Sequence, residues 1–281
     1  MYDHTWKCIF ASEAGTSHSA TNSSCQDNCI CEVIEDSAGS KVMAVVTSDG
    51  AGSAKHAEAG SALTCSFFIE QLKAHLASGA TVRELTRNHV ESWISKLQDE
   101  LTLRAEAEDG HSVRDFAATL LAAFVDENSA VFFQIGDGAI VIPGDDPETY
   151  GWIFWPQQGQ YANETNFVTD QNAQDKLEFT VINHRVDEVA VFTDGVQSFA
   201  LHYQSRQAHS PFFFSVFSWL RSAPCDRLDE FRKALISFLK SEKVNERTDD
   251  DKTLALATRV QLTSSDPLDS NNASEDRLPR L

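Results

Sequence analysis

Positive charge is scarce in this chain of 281 residues, which carries 23 basic side chains against 42 acidic ones and a formal net charge of −19. A surface of that sign repels nucleic acid and anionic membranes, so we expect neither as a partner. No lysine or arginine occurs between Lys7 and Lys41. Any phosphate-bearing ligand would therefore need bound metal ions as its local source of positive charge.

Leader segments and long apolar runs are also missing. The N-terminus, Met1-Tyr2-Asp3-His4, lacks the basic stretch followed by an apolar one that marks a secretory signal. The longest nearly apolar run, residues 116–125, is about half as long as a membrane span. These absences predict a cytoplasmic protein without a membrane anchor.

Cysteine is sparse, with six in the whole chain, which excludes a disulfide scaffold. The spacing of Cys25, Cys29 and Cys31 does not match the paired Cys-x-x-Cys of zinc sites. We expect free, mostly buried thiols. A hydrophobic content of 42% with 18 Phe supports a packed core. We expect residues 1–262 to form a single domain and the polar residues 263–281 to form a disordered tail.

Hydrophobic periodicity predicts the secondary structure. Strands are expected at residues 5–11, 29–34, 42–46, 116–125, 130–135, 139–142, 150–155, 177–182, 188–192 and 254–260. Helices are expected at residues 54–76, from a capping box at Thr81-Val82-Arg83-Glu84 to about residue 101, and at residues 211–220 and 226–239.

The segments between these elements carry predictions of their own. Residues 15–24 are small and polar, which predicts a loop. Short turns at Asp126-Glu127-Asn128 and Gly136-Asp137-Gly138 predict an antiparallel meander. Residues 157–175 are polar and aperiodic and predict a functional loop or flap. Strand runs interrupted by paired helices favour an α+β fold, in which a central sandwich of two antiparallel sheets is flanked by helices.

Short acidic segments lie at the ends of several predicted strands: Gln26-Asp27, Ser48-Asp49-Gly50, Thr193-Asp194-Gly195 and Asp249-Asp250-Asp251. Aspartates that meet at strand ends repel one another unless a hard divalent cation holds them. We therefore predict a metal centre built from distant aspartates, and metal-assisted hydrolysis as its chemistry.

Each of these segments also has a simpler reading. The Asp-Gly pairs could be ordinary turns, and the triple aspartate could be a solvated acidic patch. The Gly50-Ala51-Gly52-Ser53 stretch matches neither a dinucleotide-binding loop nor a P-loop, and no EF-hand loop follows the triple aspartate.

The ordered set of motifs resembles the metal-dependent (type 2C) serine/threonine protein phosphatases, in their bacterial branch. The resemblance runs from about His4 to Val260. It is carried by Gly15-x-Ser17-His18, Cys25-Gln26-Asp27, the run from Asp49 to Ala54, the run from Asp115 to Leu121, Gly136-Asp137-Gly138, Thr193-Asp194-Gly195 and Asp250-Asp251-Lys252-Thr253.

The resemblance implies a set of ligands for two Mn²⁺ or Mg²⁺ ions. Asp49 is similar to the carboxylate that bridges the two metals, and the Gly50 carbonyl is similar to a further ligand. Asp194 and Asp250 resemble the other direct ligands of one metal. Asp27 resembles the residue that serves the second, directly or through water.

A third, weaker metal is implied at Asp137 together with Asp194. The implied mechanism uses a water that two metal ions activate for in-line attack on phosphorus, with no protein nucleophile.

The chain departs from the family pattern at one position. Many relatives place a phosphate-gripping arginine five residues before the first metal aspartate, where this chain has Asn22. His18 is the nearest replacement, as a phosphate contact or as a general acid. Lys55 and His56 are weaker candidates.

Three functions follow from these residues. The leading one is a metal-dependent phosphatase that acts on phosphoserine and phosphothreonine in phosphoprotein substrates. The alternatives are a catalytically weak sensor that binds phosphoproteins, and a hydrolase of small phosphoesters. The oligomeric state stays open.

Overall fold

Two five-stranded antiparallel sheets form the centre of the protein, as seen in a computed structural model that describes residues 4–21, 24–107, 111–158 and 165–261. The strands are β1 (His4–Glu13), β2 (Asn28–Glu35), β3 (Lys41–Ser48), β4 (Leu120–Val125), β5 (Ala130–Ile135), β6 (Ala139–Pro143), β7 (Tyr150–Trp152), β8 (Glu178–Ile182), β9 (Glu188–Phe192), β10 (Leu201–His202), β11 (Gln207–Ala208) and β12 (Lys252–Gln261).

Helices cover both outer faces of this sandwich. They are α1 (Thr16–Thr21), α2 (Ala57–Ala77), α3 (Arg87–Ala107), α4 (Ala173–Lys176), α5 (Asp194–Ala200), α6 (Ser210–Ser222), α7 (Leu228–Leu239) and α8 (Glu242–Asn245). None of the helices in the described part of the chain is long and apolar enough to cross a membrane.

The two sheets have the strand orders β2-β3-β4-β5-β8, here called sheet I, and β1-β12-β9-β6-β7, here called sheet II. Their strands alternate between two apolar layers, as the period of two requires. Along β3, Met43 and Val45 pack against sheet II, whereas Val42, Ala44 and Val46 pack under α2 and α3. The predicted α-β-β-α sandwich is thus confirmed.

Helix α2 shows why these residues form the outer layer. Its buried residues Cys65, Phe68, Leu72 and Leu76 recur at helical spacing and form one apolar stripe. Leu72 is completely buried in the core between α2 and sheet I. Its replacement by Ala would cost about 3 kcal/mol of unfolding free energy.

The first and last described strands pair with each other along their whole lengths, from His4 opposite Gln261 to Glu13 opposite Lys252. This pairing supports our proposal that residues 1–262 form one domain. The predicted tail, residues 263–281, lies outside the described residues.

Two local predictions near the start of helices are wrong. Residues 15–24 are not all loop, because Thr16–Thr21 forms a short helix. Its first turn is held by a remote segment, since the Ser17 N–H donates to the Asp249 carbonyl at 3.0 Å. The capping box at Thr81 closes a separate 3-10 turn at Val82–Glu84, and α3 begins only at Arg87.

The predicted meander is also wrong at its second turn. β4 and β5 form a hairpin, but β5 belongs to sheet I and β6 to sheet II. The Gly136-Asp137-Gly138 turn therefore crosses between the sheets. Gly136 makes this possible with a φ of +116°, a backbone conformation that favours glycine. The predicted strand 116–125 begins at Leu120, because Phe116 ends a 3-10 turn.

Candidate metal centre

The Asp49-Gly50 turn follows β3 and is held against the residues that enter β4. The Asp49 N–H donates to Thr119 Oγ1 at 2.9 Å, and the Asp49 carbonyl accepts from the Thr119 N–H at 2.8 Å. A Cβ at Gly50 would lie 2.6 Å from the Ala57 carbonyl oxygen and 2.8 Å from that of Gln26. Only glycine fits between these backbones, so the position of this turn is fixed.

Asp194 is the first residue of α5 and follows the end of β9. The next residue must be glycine as well, because a Cβ at Gly195 would overlap the carbonyl oxygen of Asp251. This close approach brings the start of α5 against the start of β12. The two segments that carry Asp194 and Asp250 are therefore packed together.

Asp137 lies in the turn that crosses between the sheets. The buried Gln134 side chain donates through Nε2 to the Gly136 carbonyl at 3.0 Å and to the Gly138 carbonyl at 3.1 Å. Gln197, on α5, donates to the Asp137 carbonyl. The turn is thus held by one side chain from sheet I and one from α5.

These elements bring three of the predicted metal ligands together. Asp49, Asp137 and Asp194 each present a carboxylate oxygen, and the three oxygens lie within 4.8 Å of one another. Asp250 lines the same cavity of about 400 Å³, together with the Gly50 backbone and His18. Gln26, Thr165 and Phe167 complete the polar and apolar walls.

Asp27 lies behind this cavity and is 5% exposed. Its Oδ2 accepts a hydrogen bond from Thr193 Oγ1 at 2.7 Å. Thr193 Oγ1 in turn accepts from the Thr253 N–H at 3.0 Å. One hydroxyl therefore connects Asp27, at the entry to β2, with the ends of β9 and β12.

The carboxyl groups of this cluster are strongly perturbed. Burial, opposed by the hydrogen bond from Thr193, raises the pKa of Asp27 to about 7. Burial and the charges of Asp137 and Asp250 raise the pKa of Asp194 to about 8. Burial and the charges of Asp27 and Asp194 raise the pKa of Asp49 far above its ordinary value.

The donor set fits hard divalent cations. Asp27 Oδ1, Asp194 Oδ1 and Gln26 Oε1 are buried without a hydrogen-bond partner among the described residues. Buried oxygens that no donor satisfies are costly, and repelling carboxylates add to that cost. Cations coordinated through oxygen would remove both costs, and an all-oxygen set suits Mg²⁺ or Mn²⁺.

Asp251 is a site residue that the sequence interpretation missed. Its buried carboxylate accepts from the Gly15 N–H at 2.7 Å, from the Gln26 N–H at 2.6 Å and from His18 Nδ1 at 2.7 Å. It thereby joins α1 and the segment before Asp27 to the start of β12. Its place beside Asp250 was the available signal, but three adjacent aspartates do not reveal which one points inward.

The candidates for phosphate binding are only partly brought together. His18 lines the metal cavity, and its side chain is 17% exposed. Lys55 and His56 line a neighbouring cavity that shares Gln26 with the first, so they lie outside the carboxylate cluster. Asn22 lies outside the described residues.

A larger cavity, of about 540 Å³, lies elsewhere in the fold, beside α6 and α8. Phe199, Phe212 and Phe238 line it, and Glu246 contributes the one carboxylate among its described lining residues. The chemistry of the smaller cavity, rather than volume, identifies the candidate site.

Comparison with known proteins agrees with this geometry. A family model described as protein phosphatase 2C matches residues 14–240. The chain is 36% identical over 255 residues to serine/threonine-protein phosphatase 3 of Escherichia coli strain K12, and the match covers 90% of this chain and 98% of the relative.

Solved structures share the fold at much lower identity. A serine/threonine phosphatase from S. agalactiae is similar, with a TM-score of 0.58 and 16% identity, over 90% of this chain and 99% of the other. The catalytic domain of the phosphatase PstP, in complex with two manganese ions, is similar with a TM-score of 0.55 and 14% identity, over 92% of this chain and 100% of that domain.

Proposed function

We propose roles for individual residues from the premise that this chain belongs to the protein phosphatase 2C family and is a metal-dependent serine/threonine protein phosphatase. The observation that carries the proposal is the convergence of Asp49, Asp137 and Asp194 from three distant parts of the sequence. The buried oxygens of Asp27 and Asp194, which have no hydrogen-bond partner in the described part of the chain, support it further.

The proposed ligands divide between two principal cations and a weaker third one. Asp49 would contribute to both principal ions, and the Gly50 carbonyl would be a further ligand. Asp194 and Asp250 would also hold one of these ions, and Asp27 would serve the other, directly or through water. Asp137 and Asp194 would hold the third. These assignments use the carboxylates that line or adjoin a single cavity.

When bound, Mn²⁺ or Mg²⁺ supplies the positive charge that activates a water for attack on phosphorus and stabilises the leaving oxygen. The residues of the chain hold this arrangement rigid. The glycine contacts at positions 50 and 195 fix two of the ligand-bearing turns. His18 lines the cavity and contacts the phosphate or the leaving oxygen, with Asp251 fixing its ring.

The substrates are phosphoproteins, and hydrolysis at phosphoserine and phosphothreonine is the activity to test. We expect p-nitrophenyl phosphate and phosphoserine peptides to be hydrolysed only when Mn²⁺ or Mg²⁺ is present. Asp49→Asn should lower kcat/KM at least about 100-fold, because one carboxylate is lost from both principal ions.

A matched control makes the same chemical change far from the site. Asp99 is exposed on α3, so Asp99→Asn should leave both activities unchanged. Turnover that survives metal chelation, or an Asp49→Asn variant as active as the control, would contradict the proposal. Tight phosphopeptide binding without turnover would favour the sensor, and a preference for small phosphoesters would favour the third candidate.

A further inference from the structure

A partly exposed group of aromatic rings lies on the surface formed by β7, the segment after it and the β10–β11 hairpin. We call Trp152, Trp155 and Tyr203 the aromatic platform. The ring centroids of Trp152 and Trp155 are 5.6 Å apart, and those of Trp155 and Tyr203 are 5.3 Å apart, both in edge-on geometry. The three rings therefore form one continuous surface.

The exposure of this platform is unusual for the protein. Four large hydrophobic side chains are exposed in the described part of the chain, and two of them, Trp152 at 38% and Tyr203 at 48%, belong to the platform. The phenylalanines of α6 that face inward, Phe212 and Phe213, are buried in the core of sheet II. Exposed, contiguous aromatic surface commonly marks a binding site, because tryptophan and tyrosine offer large rigid contact areas.

A cationic side chain accompanies the rings. The Arg206 guanidinium lies 5.8 Å from the centroid of the Trp155 ring. The hairpin is tied to β7, since Trp152 Nε1 donates to the Arg206 carbonyl at 2.8 Å. Arg206 is exposed and forms no ion pair with any carboxylate of the described residues. On a chain with a net charge of −19, an unpaired arginine beside exposed rings favours an acidic partner.

The platform is connected to the metal centre through two hydrogen bonds. The Tyr203 hydroxyl donates to Gln197 Oε1, and Gln197 Nε2 donates to the Asp137 carbonyl. Burial of the hydroxyl, together with the charges of Asp194 and Asp137, raises the pKa of Tyr203 to about 12. Tyr203 is thus separated by a single side chain, that of Gln197, from the turn that carries Asp137.

We propose that the aromatic platform and Arg206 dock the polypeptide of the phosphoprotein substrate beside its phosphorylated residue. The occupant is an extended segment with an apolar residue, such as proline or leucine, against the rings and an acidic residue against Arg206. This proposal rests on the proposed phosphatase function. The link through Gln197 to the turn of Asp137 and the charge of Arg206 are what select a substrate segment as the partner.

The test compares substrates that can and cannot reach the platform. The probes are a phosphoserine peptide flanked by Pro, Leu and Asp, and p-nitrophenyl phosphate. For each protein, the measured quantity is the ratio of kcat/KM for the peptide to that for the aryl phosphate. Trp152→Ala and Arg206→Gln should each lower this ratio, by about tenfold for the tryptophan, through a higher KM for the peptide.

Leu103→Ala is the matched control, because Leu103 is an apolar residue 67% exposed on α3, away from the platform. It should leave the ratio unchanged. The unmutated protein gives a second measurement that does not depend on a variant folding: acetyl-phosphoserine amide should show a higher KM than the flanked peptide.

An unchanged ratio in both platform variants, or equal KM values for the flanked peptide and acetyl-phosphoserine amide, overturns the docking proposal. Metal-dependent hydrolysis of p-nitrophenyl phosphate would still stand in that case. Its absence would instead count against the proposed function, so the two failures are distinguishable.

Discussion

Two buried acidic regions of this protein are built in opposite ways. Glu188, on β9, is 5% exposed, and its carboxylate accepts from the Tyr150 hydroxyl at 2.6 Å and from Arg221. Two residues beyond the end of the same strand, Asp194 has a buried oxygen without a partner among the described residues. The guanidinium of Arg221 supplies the positive charge beside Glu188. The aspartate cluster instead depends on metal ions from solution.

The difference distinguishes acidic residues that stabilise the fold from acidic residues that serve the function. A buried carboxylate with an arginine and hydroxyl donors is satisfied within the fold and needs nothing else. A cluster of carboxylates that perturb one another is unfavourable to the isolated fold, and such sites are candidates for function. Activity should therefore depend on the cluster, and stability on the Glu188 pair.

The largest expected effect tests this separation at Asp194. Asp194→Asn removes a proposed ligand of two cations, so kcat/KM for p-nitrophenyl phosphate should fall about 100-fold or more. In metal-free buffer the same variant should be at least as stable as the unmutated protein, because it removes a buried carboxyl group whose ionisation is opposed by burial and by neighbouring charges. Steady-state kinetics and thermal unfolding check the two halves. A variant that is less stable but fully active would show that Asp194 stabilises the fold and is not needed for activity.

When the metal is removed, the free energy of unfolding should depend on pH because of the aspartate cluster. The pKa of Asp27 is raised to about 7 and that of Asp194 to about 8, from an ordinary value of 3.8. Between 3.8 and these values the folded, metal-free chain holds protons that the unfolded chain has released. Its free energy of unfolding must therefore fall as pH rises through this window.

Thermal unfolding in a chelator, over a series of pH values from about 5 to about 8, measures this slope. Saturating Mn²⁺ should abolish or reverse it, because bound cations favour the ionised carboxylates. A metal-free melting temperature that is flat or rises over the same range would show that the carboxyl groups are not strained as described.

Asp251 offers an intermediate case, since it adjoins the cluster but both of its oxygens have donors. Asp251→Asn should reduce turnover of phosphoserine peptides about tenfold, because it weakens the hydrogen bond that orients His18. If His18 assists the leaving oxygen, p-nitrophenyl phosphate, whose leaving group needs no proton, should be affected less.

A double-mutant cycle provides the control for this effect. With His18 replaced by Ala, the further change Asp251→Asn should have little additional effect on peptide turnover. Equal losses for both substrates and additive effects in the cycle would indicate that Asp251 acts only by holding the backbone of Gly15 and Gln26.

The smallest effect on activity is expected at Glu188. Glu188→Gln should keep metal-dependent turnover intact while lowering the free energy of unfolding by roughly 1–3 kcal/mol, because the charged hydrogen bonds with Arg221 and Tyr150 are weakened. Chemical denaturation measures the loss. A variant that loses activity but not stability would place Glu188 among the functional acids.

The sequence predicted the layers of this fold better than its connections. Helices such as α2 and α7 follow from hydrophobic periodicity, and strands such as β3 and β5 follow from short apolar runs, because both signals are local in the sequence. The helix α1 could not be predicted, since its residues are small and polar and the Asp249 carbonyl, 232 positions from Ser17, holds it. The turn at Gly136 has the glycine and aspartate residues that are typical of a β-hairpin turn. Only the packing of two sheets reveals that it crosses between them.

The candidate site divides in the same way. Asp49, Asp137 and Asp194 could be singled out because each is flanked by glycine at or just beyond the end of a strand. Asp251 and Thr193 could not, because their roles consist of contacts with residues far away in the sequence. Periodicity says which face of a strand is buried, but not which of several polar neighbours meets a partner from the other sheet.

The Thr193 hydroxyl has a mechanical consequence. It bonds Asp27, which leads into sheet I, and it is itself bonded by the backbone of Thr253 in sheet II. Any sliding of one layer of the sandwich over the other must stretch this link and change the spacing between carboxylates that different layers supply. The affinity of this protein for its cations should therefore depend on how the two sheets are aligned.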